Sequence, residues 1–452
     1  MPGPRRLRFL LSAAAIAALT VTMSGCAGAG GLGGGKDSLN VLMVNNPQMI
    51  DIQKLTAANF TKQTGIKVNY TVLPENDVRD KISQELSSQA GIYDISTISN
   101  YEVPFYAKAG WLAPLSSYVE HDASFNQSDI FPSMTKSLTA SDGKLYAEPF
   151  YGESSFLMYR KDVFAAKGLT MPARPTWQQV ADLAAKVDNA RPGMRGICLR
   201  GQVGWGQVFA PLTTVVNTFG GTWFDKSWQP QVNSPQFNEA VNFYVNLVRK
   251  HGEAGAPQAG FTECLNSMEQ GKVAMWYDAT SAAGSLEGSG SPVAGKMAYV
   301  AAPVVKTKTS GWLYAWSWAI EHASKKQDKA WKFISWASSK QYEELVGSKI
   351  GWTSVPAGKR LSTYSNPQYV KASSAFAAPT RAAILSADPS NPGVQPRPVP
   401  GIQFMDFPEF SGLATTVSQY ISTAIAGQLS VQNALNEGQK VAKRATKTYR
   451  SK

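Results

Sequence analysis

A few residue types in this chain could together hold an uncharged, hydroxyl-rich molecule. Trp205 stands between Gly204 and Gly206; the glycines free the backbone there and let the indole project, and a flat ring covers an apolar C–H face well. Hydroxyls both donate and accept, so carboxylates, amides and a guanidinium complement them. Asp278 follows the apolar run 274–277, and Glu153 lies among apolar residues that require a partner for its charge. Arg200 could donate a forked pair of bonds to adjacent hydroxyls, or pair internally with an acid. Asn46, Asn100 and Tyr101 follow apolar runs. Trp312 and Trp352, each preceded by glycine, and Glu409 complete the candidates, with Trp312 preferred to Trp316. Each also has a plainer reading: Trp205 packed under a loop, Asp278 as a helix cap, Glu153 in a salt bridge, the asparagines in turns, Glu409 in loop packing.

The same acids raise an enzymatic alternative. Glu153 and Asp278 would serve a glycoside hydrolase if they flanked one bond at about 5–9 Å. No nucleophile elbow, HExxH pair or phosphate-binding loop accompanies them. His121, His251 and His322 lack metal-ligand spacing, so neither a metal nor a cofactor is expected.

These residues need a scaffold, and the hydrophobic pattern supplies one. Strands at 39–44, 67–72 and 94–98 alternate with helices at 52–63 and 77–89, the signature of a parallel α/β sheet. Asn46 and the Asn100–Tyr101 pair then fall beyond the carboxyl ends of strands, where such sheets bind ligands. A second set follows: a strand at 156–159, a helix at 177–187 capped by Thr176, a short strand at 197–199, a helix at 238–250 and a strand at 274–277. Helices at 329–336 and 341–346 divide near Ser338, a proline-rich loop covers 389–400, and a last helical stretch, 415–447, is broken by glycine.

Charge is concentrated at the ends. The formal net charge of +12 falls to +3 without the three leader arginines and the six cations of 440–452, so the body carries no nucleic-acid footprint. The tail could touch anionic lipid or wall polymer, or form a solvated, frayed helix end, with the helix end preferred. Arg5, Arg6 and Arg8 precede an apolar run at 9–21 and small residues before Cys26, which makes a secretory signal peptide too short to span a bilayer. Met23-Ser24-Gly25-Cys26 resembles a bacterial lipobox, with Met23 in place of the usual leucine and Cys26 as the lipidated residue. Of the three cysteines this leaves Cys198 and Cys264, which could pair in an oxidising compartment or serve as small buried residues.

Several stretches together resemble the extracellular solute-binding proteins of ABC sugar importers, the maltose-binding-like group. They are Gly110-Trp111-Leu112-Ala113-Pro114-Leu115, the run from Ser154 to Asp162, Pro175-Thr176-Trp177, Phe219-Gly220-Gly221, Gly271-Lys272-Val273-Ala274-Met275 and Ala330-Trp331-Lys332-Phe333-Ile334. Ile197-Cys198-Leu199-Arg200-Gly201, Gly204-Trp205-Gly206, Trp276-Tyr277-Asp278-Ala279-Thr280, Trp312-Leu313-Tyr314-Ala315-Trp316 and Gly351-Trp352 are similar to the sorbitol/mannitol-binding branch. Gln202-Val203 departs from the Lys-Pro of that branch. The resemblance implies an α/β, two-lobed periplasmic-binding-protein fold with the ligand in a cleft, and crossing segments near 151–156, 277–281 and 336–342. The expected division is signal peptide 1–25, tether 26–37, first lobe 38–151 plus 279–338, second lobe 152–278 plus 339–440, and basic tail 441–452. A monomer tethered to the outer face of the bacterial membrane, capturing a polyol or small sugar for permease subunits, is the expected function. A sugar sensor uncoupled from transport is the remaining alternative.

Overall fold

The structure, a computed structural model, describes residues 35–450. The signal peptide, Cys26 and most of the tether lie outside the described residues. Among the described residues eight strands form two sheets. The larger contains β1 (Ser38–Val44), β2 (Lys67–Leu73), β3 (Ile95–Ser99), β4 (Glu148–Glu153) and β8 (Tyr314–Ile320), in the order β2-β1-β3-β8-β4. The smaller contains β5 (Ser155–Arg160), β6 (Met275–Ala279) and β7 (Met297–Ala301), in the order β6-β5-β7.

In the larger sheet β1 pairs in parallel with β2 and β3, as the strand–helix alternation predicts. β8 runs antiparallel to both β3 and β4, and the smaller sheet is antiparallel throughout. The sheets are therefore mixed rather than parallel. β1 and β8 are buried along their full lengths, which explains their nearly unbroken apolar composition. The expected strand at 197–199 is reduced to one bridge between Cys198 and Trp276 beside β6.

The helices follow their local signals. Helix Glu75–Ser88 buries Val78, Arg79, Ile82, Glu85 and Leu86 on one stripe. Helix Trp177–Val187 begins with a reciprocal capping box between Thr176 and Gln179. The last helical stretch divides into Phe410–Ile425 and Val431–Ala445, with Gly427 left-handed at the break. The expected frayed tail is instead structured: Val441 and Ala442 are buried within the final helix, and Tyr449 stacks on Trp228 at 4.5 Å. Apolar positions on the inner face hold this helix down while its cations face water.

The first crossing between sheets lies at Ser154, between β4 and β5. Two other expected boundaries move. Residues 279–301 do not enter the first lobe, because β7 pairs with β5 and helix Ala282–Leu286 packs in the smaller sheet's core. The return to the larger sheet comes between β7 and β8. Residues 339–372 stay beside the larger sheet rather than the second lobe. Tyr342 packs on Phe150 of β4, and buried Arg360 donates to the carbonyls of Ser338 and Phe125. Cys198 and Cys264 form a disulfide with a Cα–Cα distance of 5.7 Å, fixing helix Phe261–Glu269 to the segment that leads into Arg200.

Candidate ligand-binding site between the lobes

The lobes meet along a buried seam, and polar side chains converge there from both sides. From the smaller-sheet side, Arg200 donates to Asp278 through Nε at 2.7 Å and Nη2 at 2.6 Å. Asp278, in β6, also accepts from the Trp276 indole N–H at 3.1 Å and the Ala279 amide at 2.7 Å. Arg200 Nη1 donates to the Gly206 carbonyl at 3.0 Å, so the same arginine shapes the turn that carries Trp205. Burial alone would lower the Arg200 pKa, but the charge and hydrogen bonds of Asp278, together with the charges of Glu75 and Glu153, outweigh it and the net direction is up.

Glu153 ends β4, next to the crossing, and accepts from the Ser281 hydroxyl at 2.5 Å. Burial pushes its pKa up to about 8, against the opposing pull of Ser281 and Arg200. A carboxyl group that retains its proton near neutral pH can donate as well as accept, which suits a hydroxyl partner. From the larger-sheet side, Asn46 donates to the Tyr151 hydroxyl at 2.6 Å rather than capping the helix it precedes.

Arg79 is the hub of that side. It donates to the Tyr314 hydroxyl at 2.6 Å, to Glu75 at 2.9 Å and to Glu102 at 3.5 Å. Its guanidinium lies 4.0 Å above the Trp205 ring and 4.7 Å from that of Trp316. Trp205 therefore sits under a cation from the opposite lobe and against Tyr101 at 5.0 Å and Phe404 at 4.8 Å. The glycines flanking Trp205 have a different purpose from the one the sequence suggests. A Cβ at Gly206 would lie 2.7 Å from the Glu75 carboxylate, and one at Gly204 2.5 Å from the Asn76 side chain. They permit close approach of the opposing helix, and Asn76 closes the rim by donating to the Val203 carbonyl at 3.0 Å.

Of the sequence candidates, Asn46, Tyr101, Glu153, Arg200, Trp205 and Asp278 thus gather at the seam. Asn100 spends its carbonyl oxygen on the Ala315 amide at 2.9 Å, a structural bond that anchors β8. Trp312 is buried near the crossing, 6.2 Å from Tyr277, and among the described residues its indole N–H has no acceptor. Trp316 rather than Trp312 lies under Arg79. Trp352 and Glu409 stand away from the seam. Trp352 packs in a 3₁₀ turn against Gly347, and Glu409 accepts from Tyr449 at 2.7 Å on an exposed surface. Flanking glycine and loop context misplaced both.

Sequence reasoning missed Glu75, Arg79, Tyr151 and Tyr314. Arg79 carried a usable signal, since it shares the helical stripe of Val78 and Ile82. A charged residue inside an apolar stripe must find a buried partner.

Comparisons with known proteins agree with this architecture. The family model for bacterial extracellular solute-binding proteins matches residues 46–344. A mannitol-binding protein of Pseudomonas aeruginosa is 38% identical over 416 residues, 91% of this chain and 94% of that protein. A solute-binding protein of an ABC transporter from Agrobacterium vitis, solved with bound D-mannitol, is 43% identical with a TM-score of 0.88, covering 91% of this chain and 98% of that one. A ribitol complex from Agrobacterium radiobacter, at 23% identity and a TM-score of 0.79, shares the fold. Among the described residues no helix is long and apolar enough to cross a membrane. With its two-lobed fold and a family match running from Asn46 through β8, the chain belongs to the bacterial extracellular solute-binding proteins.

Proposed function

We propose that this protein captures a linear sugar alcohol, with a hexitol such as D-mannitol or sorbitol leading, and delivers it to the permease subunits of an ABC importer. The observation that carries the reading is the seam itself. Arg200, held by Asp278, and Glu153 face Arg79 and Tyr314 across a Trp205 platform, all withdrawn from water, with the partly exposed Glu75 beside Arg79. That set alternates donors and acceptors beside an aromatic face, as an extended polyol requires. The two relatives whose names specify mannitol are 38% and 43% identical to this chain, which favours a hexitol over a shorter alditol.

Capture works by lobe closure. Groups from both lobes contact the ligand only when the lobes meet, so the ligand favours the closed population. A hydrolytic role fits poorly, because both Asp278 oxygens are already held by Arg200, Trp276 and the Ala279 amide. Such a carboxylate is not free to act as nucleophile or base. The protein acts as a monomer, retained at the outer face of the membrane by a lipid on Cys26.

Calorimetry with D-mannitol, sorbitol, ribitol, erythritol and maltose tests the ligand. One-to-one binding strongest for a hexitol is expected, with no product formed. Trp205→Ala should weaken that binding by about 1–3 kcal/mol through lost contact area. The absence of binding to every alditol would reject the proposal, and unchanged affinity in the variant would remove Trp205 as a platform.

A further inference from the structure

Adjoining the seam lies a chamber of about 450 Å³, between Asn100, Ser133, Lys136 and Thr139 of the first lobe and the proline-rich segment of the second. Its size falls within the roughly 300–1,000 Å³ of small-molecule sites. The lining has the chemistry of a carbohydrate pocket: hydroxyls, Lys136, Asp388, Gln403 and Asp406 alongside Pro104, Leu313 and Ile402. Among the described residues Lys136 has no ion-pair partner. The chamber adjoins the seam: Tyr101 and Tyr314 border both, and the rest of the lining lies outside the polar cluster described above.

Where the two adjoin, Tyr101, Tyr314 and Phe404 stand between chamber and seam, and of these three Phe404 comes from the second lobe. Phe404 lines the chamber and is buried against Trp205 at 4.8 Å, Tyr101 at 5.5 Å and Tyr314 at 6.2 Å. Those three residues border the polar cluster, so Phe404 forms its end wall. The backbone behind it is firmly set. Arg397 donates to the Gly401 carbonyl at 2.8 Å and to Asn217 at 3.0 Å, and Asn217 in turn donates to the Ile402 carbonyl at 2.9 Å. Gly401 has φ +122° and no room for a Cβ, which would fall 1.9 Å from the Phe404 carbonyl oxygen. The strap thus presents Phe404 from a fixed position on the second lobe.

We infer that Phe404 sets the length of ligand the protein accepts: it excludes glycosylated polyols by blocking a preformed chamber that has the chemistry to take a hexopyranosyl group. This rests on the polyol reading of the seam. Rejection of the longer ligand comes from a steric block rather than from missing contacts, a design that works against the wrong ligand. Removing the block should therefore produce gain of binding.

The test compares D-mannitol with maltitol, a glucosyl-sorbitol, by calorimetry on the wild type and on Phe404→Ala. The wild type should bind mannitol and discriminate against maltitol by about 100-fold or more. Phe404→Ala should tighten maltitol binding by about tenfold or more while mannitol binding changes less. Thermal melts check the fold, and Phe404→Leu provides a smaller opening if the alanine variant does not fold; it should give the same direction at lower amplitude. Maltitol binding by the wild type as strong as mannitol binding would overturn the inference. So would a folded variant that keeps mannitol binding and still rejects maltitol. A wild type that binds no alditol would instead reject the polyol reading beneath it.

Discussion

At the scale of single residues, burial divides the acids into two kinds. Asp278 is saturated by donors, whereas among the described residues neither carboxyl oxygen of Glu148 has a hydrogen-bond partner. Burial pushes the Glu148 pKa up to about 8, despite the nearby Arg360 charge. Below the unfolded value of 4.5 the group is protonated in both states, and above it the unfolded chain loses its proton first. The stabilisation from this carboxyl is therefore complete in acid and is lost as pH rises through about 8. Melting temperature should fall between about pH 5 and 9, and Glu148→Gln should flatten that fall while leaving the acid-side value nearly unchanged. An unaltered slope would exclude Glu148 as a source. Glu153 and Glu321, raised to about 8 by the same cause, would maintain a residual slope. Trp205, Arg200, Glu153 and Asp278 stood out in the sequence as candidates for the seam because each is marked by its neighbours: glycines, or an apolar run that makes a charge conspicuous. Tyr151 and Tyr314 were not, since a tyrosine within an aromatic run reads as core until its hydroxyl is seen to accept a partner.

At the scale of elements, the disulfide joins two pieces that the sheets do not. It ties helix Phe261–Glu269 to the strand-like segment before Arg200, over a sequence separation of 66 residues. Cys198→Ala combined with Cys264→Ala should lower stability by about 2–5 kcal/mol. It should also weaken mannitol binding, because the segment positioning Arg200 loses a fixed point. Denaturant melts and calorimetry measure the two effects; a stability equal to wild type would refute the first. Most elements were legible from periodicity and caps, as the Thr176 capping box illustrates. Strand direction was not, because β8 has the same buried composition whether its neighbours run parallel or antiparallel. β7 was missed for a related reason: its alternating, half-buried five residues carry no mark of which sheet they complete. Long-range pairing decides both, and no local pattern encodes it.

At the scale of the whole molecule, the proposal joins two functions: retention and closure. Cys26→Ser should move the protein from the membrane fraction to the soluble extracytoplasmic fraction without changing ligand affinity. A variant still sedimenting with membranes would reject the lipid anchor. Closure has its own geometry. Glu153 adjoins the crossing at Ser154, and Thr280, two residues beyond Asp278, donates its amide to the Ser154 carbonyl at 2.8 Å. The Asn76–Val203 contact instead belongs to the rim. In the proposed closure the ligand pulls on the short arm of a lever, and the rim is its long arm. A misfit of a fraction of an ångström beside the fulcrum becomes a much wider gap at the lip. A wrong alditol could be held and still leave the mouth ajar, so a transporter that inspects only the mouth would read the identity of a molecule it never touches.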